Sequence, residues 1–365
     1  MKKKQFDFKS RVQKLRDILS LDSKTAVLMT DKKDVLYFSG FSGTKSFFLL
    51  TGSRSFLITD FRYFERFEKE NCFGELFRVQ SGYFDDIASL ILRLGLKNIF
   101  LDEAKVFYET VNELSSRLPQ VTFEFGKNIS SHLRIVKEKD EIDIIKQGAK
   151  KTLDIFSKVL NFLKEGISER ELAIKIEIML LENGFNGVAF PPIVLFGENS
   201  SMPHGEPGSA LLKKNQPVLI DFGGIFKGYC TDFTRTVFYG NPDFSFVNMY
   251  DKLLSCQMAV IENGETGMKA YQLDGIARHC LDKESLGDFF KHSLGHGVGL
   301  DIHEEPMLSP FNDNEIKNGM VFTVEPGIYF ENRFGIRIED MVVVQNDKLN
   351  VLTDFPKELI LIKQE

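Results

Sequence analysis

Apolar residues run along this chain in two rhythms. In the first third they come as short bursts bounded by Gly, Ser and Asp, as in Thr25–Met29, Ser46–Leu50 and Ser55–Thr59. Such bursts predict strands. Segments such as Asp85–Arg93 space their apolar side chains as a helix does, so this region reads as an α/β domain of about 125 residues. The charged stretch Lys137–Lys146 then repeats apolar residues at helical intervals. The domain junction is placed just before it, dividing the chain into 1–132 and 133–365.

A second helix is expected next, through Phe162, and another after Ser168, whose hydroxyl and Glu171 have capping-box spacing. Asn183-Gly184 ends that helix with residues that tolerate positive φ. From Val218 onward strands take over. Pro217–Gly224 and Gly228–Phe233 predict a hairpin carrying Asp221 and Asp232. A second hairpin is expected between Val321–Glu325 and Ile336–Val344, across the turn-rich Phe330–Gly335, carrying Glu325 and Glu339. Each hairpin brings two carboxylates, the pattern of a duplicated scaffold. The expected class is therefore α/β followed by α+β.

Composition narrows the function. With 43% hydrophobic and 27% charged residues and a net charge of −6, the chain reads as a globular protein without a basic footprint for nucleic acid. No apolar stretch approaches the roughly 20 residues that span a bilayer. Met1-Lys2-Lys3-Lys4 is basic, but Gln5–Lys9 follows where a secretory signal would have an apolar run. Cys72, Cys230, Cys256 and Cys280 are widely spaced without a CxxC pair. They read as reduced thiols of a cytoplasmic protein.

Three of the six histidines, His292, His296 and His303, fall within Lys291–Pro306 among glycines. Asp221, Asp232, His296, Glu325 and Glu339 together form a ligand set for two divalent metals. Several carboxylates are needed to offset two dications, and metal-activated water is then the nucleophile. A single imidazole suits Mn, Co, Fe or Zn better than Mg or Ca. Asp221 or Asp232 alone reads more simply as a turn or capping residue. Glu325, before a proline in an apolar strand, is costly to bury without a partner. His132 and His279 fit no motif, and Gly295–Gly299 lacks the spacing of a phosphate loop.

These segments resemble the pita-bread metallopeptidases, the family of methionine aminopeptidase, aminopeptidase P and prolidase. The resemblance rests on Asp221, the Asp232-Phe233-Thr234-Arg235 motif, Gly295-His296-Gly297, Glu325-Pro326-Gly327 and Arg337-Ile338-Glu339-Asp340. It implies a creatinase-like N-terminal α/β domain before a catalytic domain with a curved, mainly antiparallel sheet. The N-terminal domain, with Gly40–Gly43, Thr59–Tyr63 and Leu133–Lys137, is similar to the proline-specific branch. The resemblance implies that the five residues named above bind two metal ions, Mn foremost. It further implies that His204, His292 and His303 line the substrate site and shuttle protons, with Glu325 accepting one from water. Arg337 lies on the face of Glu339 in a strand, where it either orients a ligand Asp or meets a substrate carboxylate.

The implied activity is hydrolysis of Xaa-Pro bonds in dipeptides or short peptides by a homodimer. Xaa-Pro dipeptidase leads, and aminopeptidase P, acting on longer peptides, is the alternative. A metal-free amidinohydrolase of the creatinase type shares the two-domain build, but its relatives lack the full ligand set. Non-catalytic pita-bread binding modules have lost ligands and carry charged extensions, and neither departure is present in this sequence.

Overall fold

A computed structural model describes residues 6–363. The basic Met1–Lys4 therefore lies outside the described residues. The chain divides between Arg134 and Ile135 into two compact units.

In the first unit, helices α1 (Phe8–Leu19), α2 (Lys32–Ser39), α3 (Phe64–Glu70), α4 (Tyr83–Arg93), α5 (Tyr108–Arg117) and α6 (Ser131–Arg134) accompany six strands. The strands are β1 (Thr25–Met29), β2 (Phe47–Thr51), β3 (Ser55–Thr59), β4 (Glu75–Arg78), β5 (Asn98–Asp102) and β6 (Thr122–Gly126). They form one mixed sheet in the order β4-β3-β2-β1-β5-β6. Amphipathic α4 buries Ile87, Ala88, Leu90 and Ile91 against Leu28, Leu49, Ile58 and Ile99 of the sheet.

The second unit begins with α7 (Lys139–Val159) and α8 (Glu169–Glu182). The two helical stretches expected between Lys137 and Phe162 are one continuous 21-residue helix with a final 3₁₀ turn. Ser168 caps α8 as its spacing predicts, since its hydroxyl takes the Glu171 amide at 3.2 Å while Glu171 takes the Ser168 amide at 2.9 Å. Strands β7 (Ile193–Phe196), β8 (Gln216–Asp221), β9 (Ile225–Phe226), β10 (Tyr229–Cys230) and β11 (Thr234–Tyr239) follow. Then come α9 (Phe244–Asn263), α10 (Ala270–Lys283), β12 (Gly295–Gly297), β13 (Glu304–Leu308), β14 (Val321–Val324), β15 (Gly327–Phe330), β16 (Phe334–Arg337), β17 (Asp340–Gln345), β18 (Lys348–Val351) and β19 (Leu361–Ile362).

The first expected hairpin takes a different partner strand from its sequence reading, the second keeps Val321–Val324 against Asp340–Val343 as expected, and both are interrupted in the same way. Strand β8 pairs with β11, opposing Asp221 to Thr234, while β9 and β10 form a separate small hairpin at the tip. Strand β14 likewise pairs with β17, opposing Val324 to Asp340, while β15 and β16 close their own hairpin. In each case the ladder breaks between the long pair and the tip. Asp232, Glu325 and Glu339 sit in the breaks and Asp221 on the last residue before one. A residue at such a break is released from strict alternation, so its side chain can turn toward a shared centre.

Each half carries its own two helices and its own core. Residues of α7, α8, β7, β8 and β11 fill one cluster, and residues of α9, α10, β14, β16 and β17 fill another. The halves are stitched by Arg235 of β11, fully buried with Asp340 of β17 at 2.8 Å. Asp340 also receives Gln257 and Lys357, each at 2.8 Å, and Thr353 at 3.0 Å.

One cysteine expectation is corrected. Cys256 and Cys280 form a disulfide rather than two reduced thiols. The packing of α9 on α10 brings their Cα atoms to 5.4 Å, within bridging range, a proximity that 24 intervening residues hide from a reading of local spacing. Cys72 and Cys230 are not part of a disulfide. Among the described residues no helix is long and apolar enough to cross a membrane.

Two outcomes are expected. Asp340→Ala strands the buried Arg235 cation and lowers unfolding free energy by about 3–5 kcal/mol; an unfolding free energy in urea changed by only about 0.5 kcal/mol, as for a surface change, contradicts this. Alkylation of the purified protein, unfolded without reductant, labels Cys72 and Cys230 and spares Cys256 and Cys280; four labelled thiols refute the pairing.

Candidate metal centre

The strand breaks aim their carboxylates at one point. Ligand oxygens of Asp221, Asp232 and Glu339 lie within 4.8 Å of one another, and all three residues are buried. His296 closes the group, with Nε2 at 3.2 Å from Glu325 Oε1 and 3.5 Å from Asp232 Oδ2. The structure thus brings all five sequence-predicted ligands together.

The glycines around His296 have a steric reason. A Cβ on Gly295 would collide with the Thr323 carbonyl, and one on Gly297 with the Glu305 carbonyl. Only glycine lets β13 and β14 close on β12 from both sides. His296 then hangs its amide on the Thr323 hydroxyl at 3.0 Å and directs Nδ1 to the Gly297 carbonyl at 3.2 Å. That bond fixes a proton on Nδ1 and points Nε2 at the carboxylates; protonated, Nε2 donates to Glu325, and deprotonated it offers a lone pair to a cation.

The electrostatics match a place for cations. Asp232 and Glu339 are pushed well above the usual carboxylate range, first by burial and then by the neighbouring carboxylates. Burial also raises Asp221, although Arg337 opposes this with Nη2 at 2.5 Å from Oδ2. Glu325 is pushed up by burial but held down to about 2 by the hydrogen bond and charge of His296. His296, penalised by the same burial, is raised by Glu325. Asp221 Oδ1 and Glu339 Oε1 are buried without a hydrogen-bond partner. Such orphaned oxygens in a crowd of acids are costly unless cations meet them, so these residues fit divalent metal ions.

Of the two roles open to Arg337, the geometry shows the first. Besides Asp221 it donates to the Tyr329 hydroxyl at 2.7 Å and the Pro203 carbonyl at 3.2 Å, and it is 3% exposed. It fixes which way Asp221 faces. Tyr329 drew no notice in the sequence, because a tyrosine between Ile328 and Phe330 reads as ordinary strand. Thr234, which donates to Glu339 Oε2 at 2.6 Å, and Thr323, which donates to Glu325 Oε1 at 3.0 Å, were hidden by the same strand composition.

Above the acids opens a cavity of about 460 Å³ lined in part by Phe190, Pro192, His204, His292, His303 and Met307. Its size suits a small peptide. His292 turns Nδ1 to the Ser293 carbonyl at 2.8 Å, and its Nε2 is buried without a partner. Burial lowers its pKa against the pull of Glu325, so the ring is neutral. His303 stands edge-on to His296, with ring centres 4.3 Å apart, and is lowered first by burial and then by that neighbour. His204 is exposed at the cavity wall.

Because Asp232 and Glu339 hold protons above the ordinary range, metal must displace them. Affinity for Mn²⁺ is expected to rise with pH, with proton release on binding. Calorimetry in buffers of different ionisation enthalpy reads this directly; affinity that is independent of pH and buffer contradicts it.

Comparison with known proteins places the site. Residues 143–346 match metallopeptidase family M24, and residues 11–136 match the creatinase/prolidase N-terminal domain. An uncharacterized peptidase, YqhT, of Bacillus subtilis is 32% identical over 96% of this chain and 100% of its own length. The structure of an Xaa-Pro dipeptidase from Bacillus anthracis superposes with a TM-score of 0.93 at 30% identity, over 97% of this chain and all of the other. An X-Pro aminopeptidase from Thermotoga maritima does so with a TM-score of 0.90 at 32% identity, over 96% of this chain and all of the other. A family whose match spans most of the second unit and includes all five candidate ligands leaves one conclusion: the chain belongs to metallopeptidase family M24, with a creatinase/prolidase N-terminal domain ahead of the catalytic one.

Proposed function

We propose that this enzyme hydrolyses Xaa-Pro bonds, with dipeptides as its main substrates and two Mn²⁺ ions held by Asp221, Asp232, His296, Glu325 and Glu339. The observation that carries the reading is the open cavity of peptide size directly over that ligand group. When bound, such metals supply a Lewis acid that polarises the scissile carbonyl and acidifies water.

The chain's own residues do the rest. An Xaa-Pro bond is a tertiary amide without an N–H, so it cannot be held by the backbone pairing ordinary proteases use. Apolar walls such as Phe190 and Pro192 can grip the ring instead. Glu325, ionised and 17% exposed on its side chain, is placed to take a proton from water. His204 and His303 flank the cavity to carry that proton toward the departing prolyl nitrogen. Neutral His292 presents its unpartnered Nε2 to substrate N–H donors.

The catalytic work is assigned to residues 133–365, with residues 1–132 as the accessory domain. The working form is proposed as a homodimer acting on short peptides. An aminopeptidase action on longer peptides is the second reading, favoured by the likeness to the Thermotoga maritima protein.

Metal-stripped protein resupplied with Mn²⁺ is expected to cleave Leu-Pro faster than Leu-Pro-Pro, and to lose both activities on chelation. Preference for the tripeptide moves the assignment to the aminopeptidase. Absence of cleavage with either Mn²⁺ or Co²⁺ sinks the peptidase reading.

A further inference from the structure

A buried lysine outside the candidate ligand group is tied to the loop that carries His303. Lys137 is 4% exposed overall, and its Nζ lies 2.8 Å from Glu304 Oε1, the two side chains being 1% and 10% exposed. Glu304 directly follows His303. No step of the proposed mechanism uses either residue of this ion pair.

The loop from Val298 to His303 joins β12 to β13, and Glu304 folds back to close it. Its Oε2 takes the Asp301 amide at 3.4 Å, and the Gly299 amide meets the Asp301 carbonyl at 3.0 Å. A Cβ on Gly299 would strike the Glu304 carboxylate, so the carboxylate lies flat on the loop. Lys137 is itself fixed, its amide bonded to the Gly319 carbonyl at 2.8 Å, with Val136 bridging to Met320. That segment runs straight into β14 and Glu325. The Gly299 carbonyl receives the Cys230 amide at 2.7 Å, two residues from Asp232.

We propose that Lys137 is a positioning residue for catalysis: its ion pair with Glu304 holds the loop that sets His303 over His296. Without the ammonium, the nearly dry Glu304 carboxylate loses the cation 2.8 Å from its Oε1. It must then take up a proton or swing toward water, and either change carries the adjoining His303 with it. A displacement of about 1 Å in a proton-transfer group costs on the order of 10²-fold in rate. The proposal rests on the peptidase reading, which wild-type cleavage of Leu-Pro checks separately.

The test is a double-mutant cycle in the Mn²⁺-loaded enzyme. Lys137→Met is expected to lower kcat about 10–100-fold, with metal stoichiometry and KM near those of wild type. Lys137→Arg restores most of the loss. In a His303→Asn background, Lys137→Met has little further effect, because the group it positions is gone. In ring-labelled histidine NMR spectra of the metal-free protein, the His303 signal shifts in Lys137→Met while His132 and His279 stay in place. Should Lys137→Met fail to fold, the charge-free Lys137→Met/Glu304→Gln variant is expected to show the same selective loss. Independent, multiplying effects of the two sites, or unchanged kcat per metal-loaded molecule, overturns the proposal.

Discussion

Four acids and a histidine converge on one buried point, and their mutual repulsion is the condition around which the second unit is organised. Nothing in ordinary folding favours this arrangement, since each carboxylate is desolvated and each raises the cost of the next. The protein answers with a few fixed donors. Arg337 turns toward Asp221, Thr234 toward Glu339, and Thr323 and His296 toward Glu325. These donors settle where each oxygen points but leave the negative charge largely unanswered. The remainder defines a strong preference for multivalent cations.

The support behind this group is a second layer of charge handled in the opposite manner. Asp340, next to Glu339, is satisfied completely by Arg235, Gln257, Lys357 and Thr353. Adjacent acids in one short segment thus have contrasting fates. One is neutralised by the protein and serves stability, while the other keeps an orphaned oxygen and serves binding. The distinction follows from the extended backbone, in which adjacent side chains such as Glu339 and Asp340 point to opposite sides.

Much of the site could be read from the chain because its motifs combine residue types that are expensive to bury with glycines that permit close approach. Gly295-His296-Gly297 is such a case, and the capping box at Ser168 is another. The partner strands were harder to see. Alternation suggests that Val218–Asp221 pairs with the next strand along, but a short tip hairpin intervenes and shifts the partner to Thr234–Tyr239. Tyr329 and the two threonines escaped because their residue types are common in any strand. The Cys256–Cys280 link escaped because it depends on how two helices pack, which no spacing rule reports.

The repeated architecture, with two helices and one interrupted hairpin in each half, means that neither half owns a centre. One half contributes two aspartates, and the other contributes a histidine and two glutamates. Separated, each would be a small helix-and-sheet layer with a few misplaced acids and no reason to bind anything tightly. Chemistry arises only at the seam, where Asp221 and Asp232 of one half meet His296, Glu325 and Glu339 of the other.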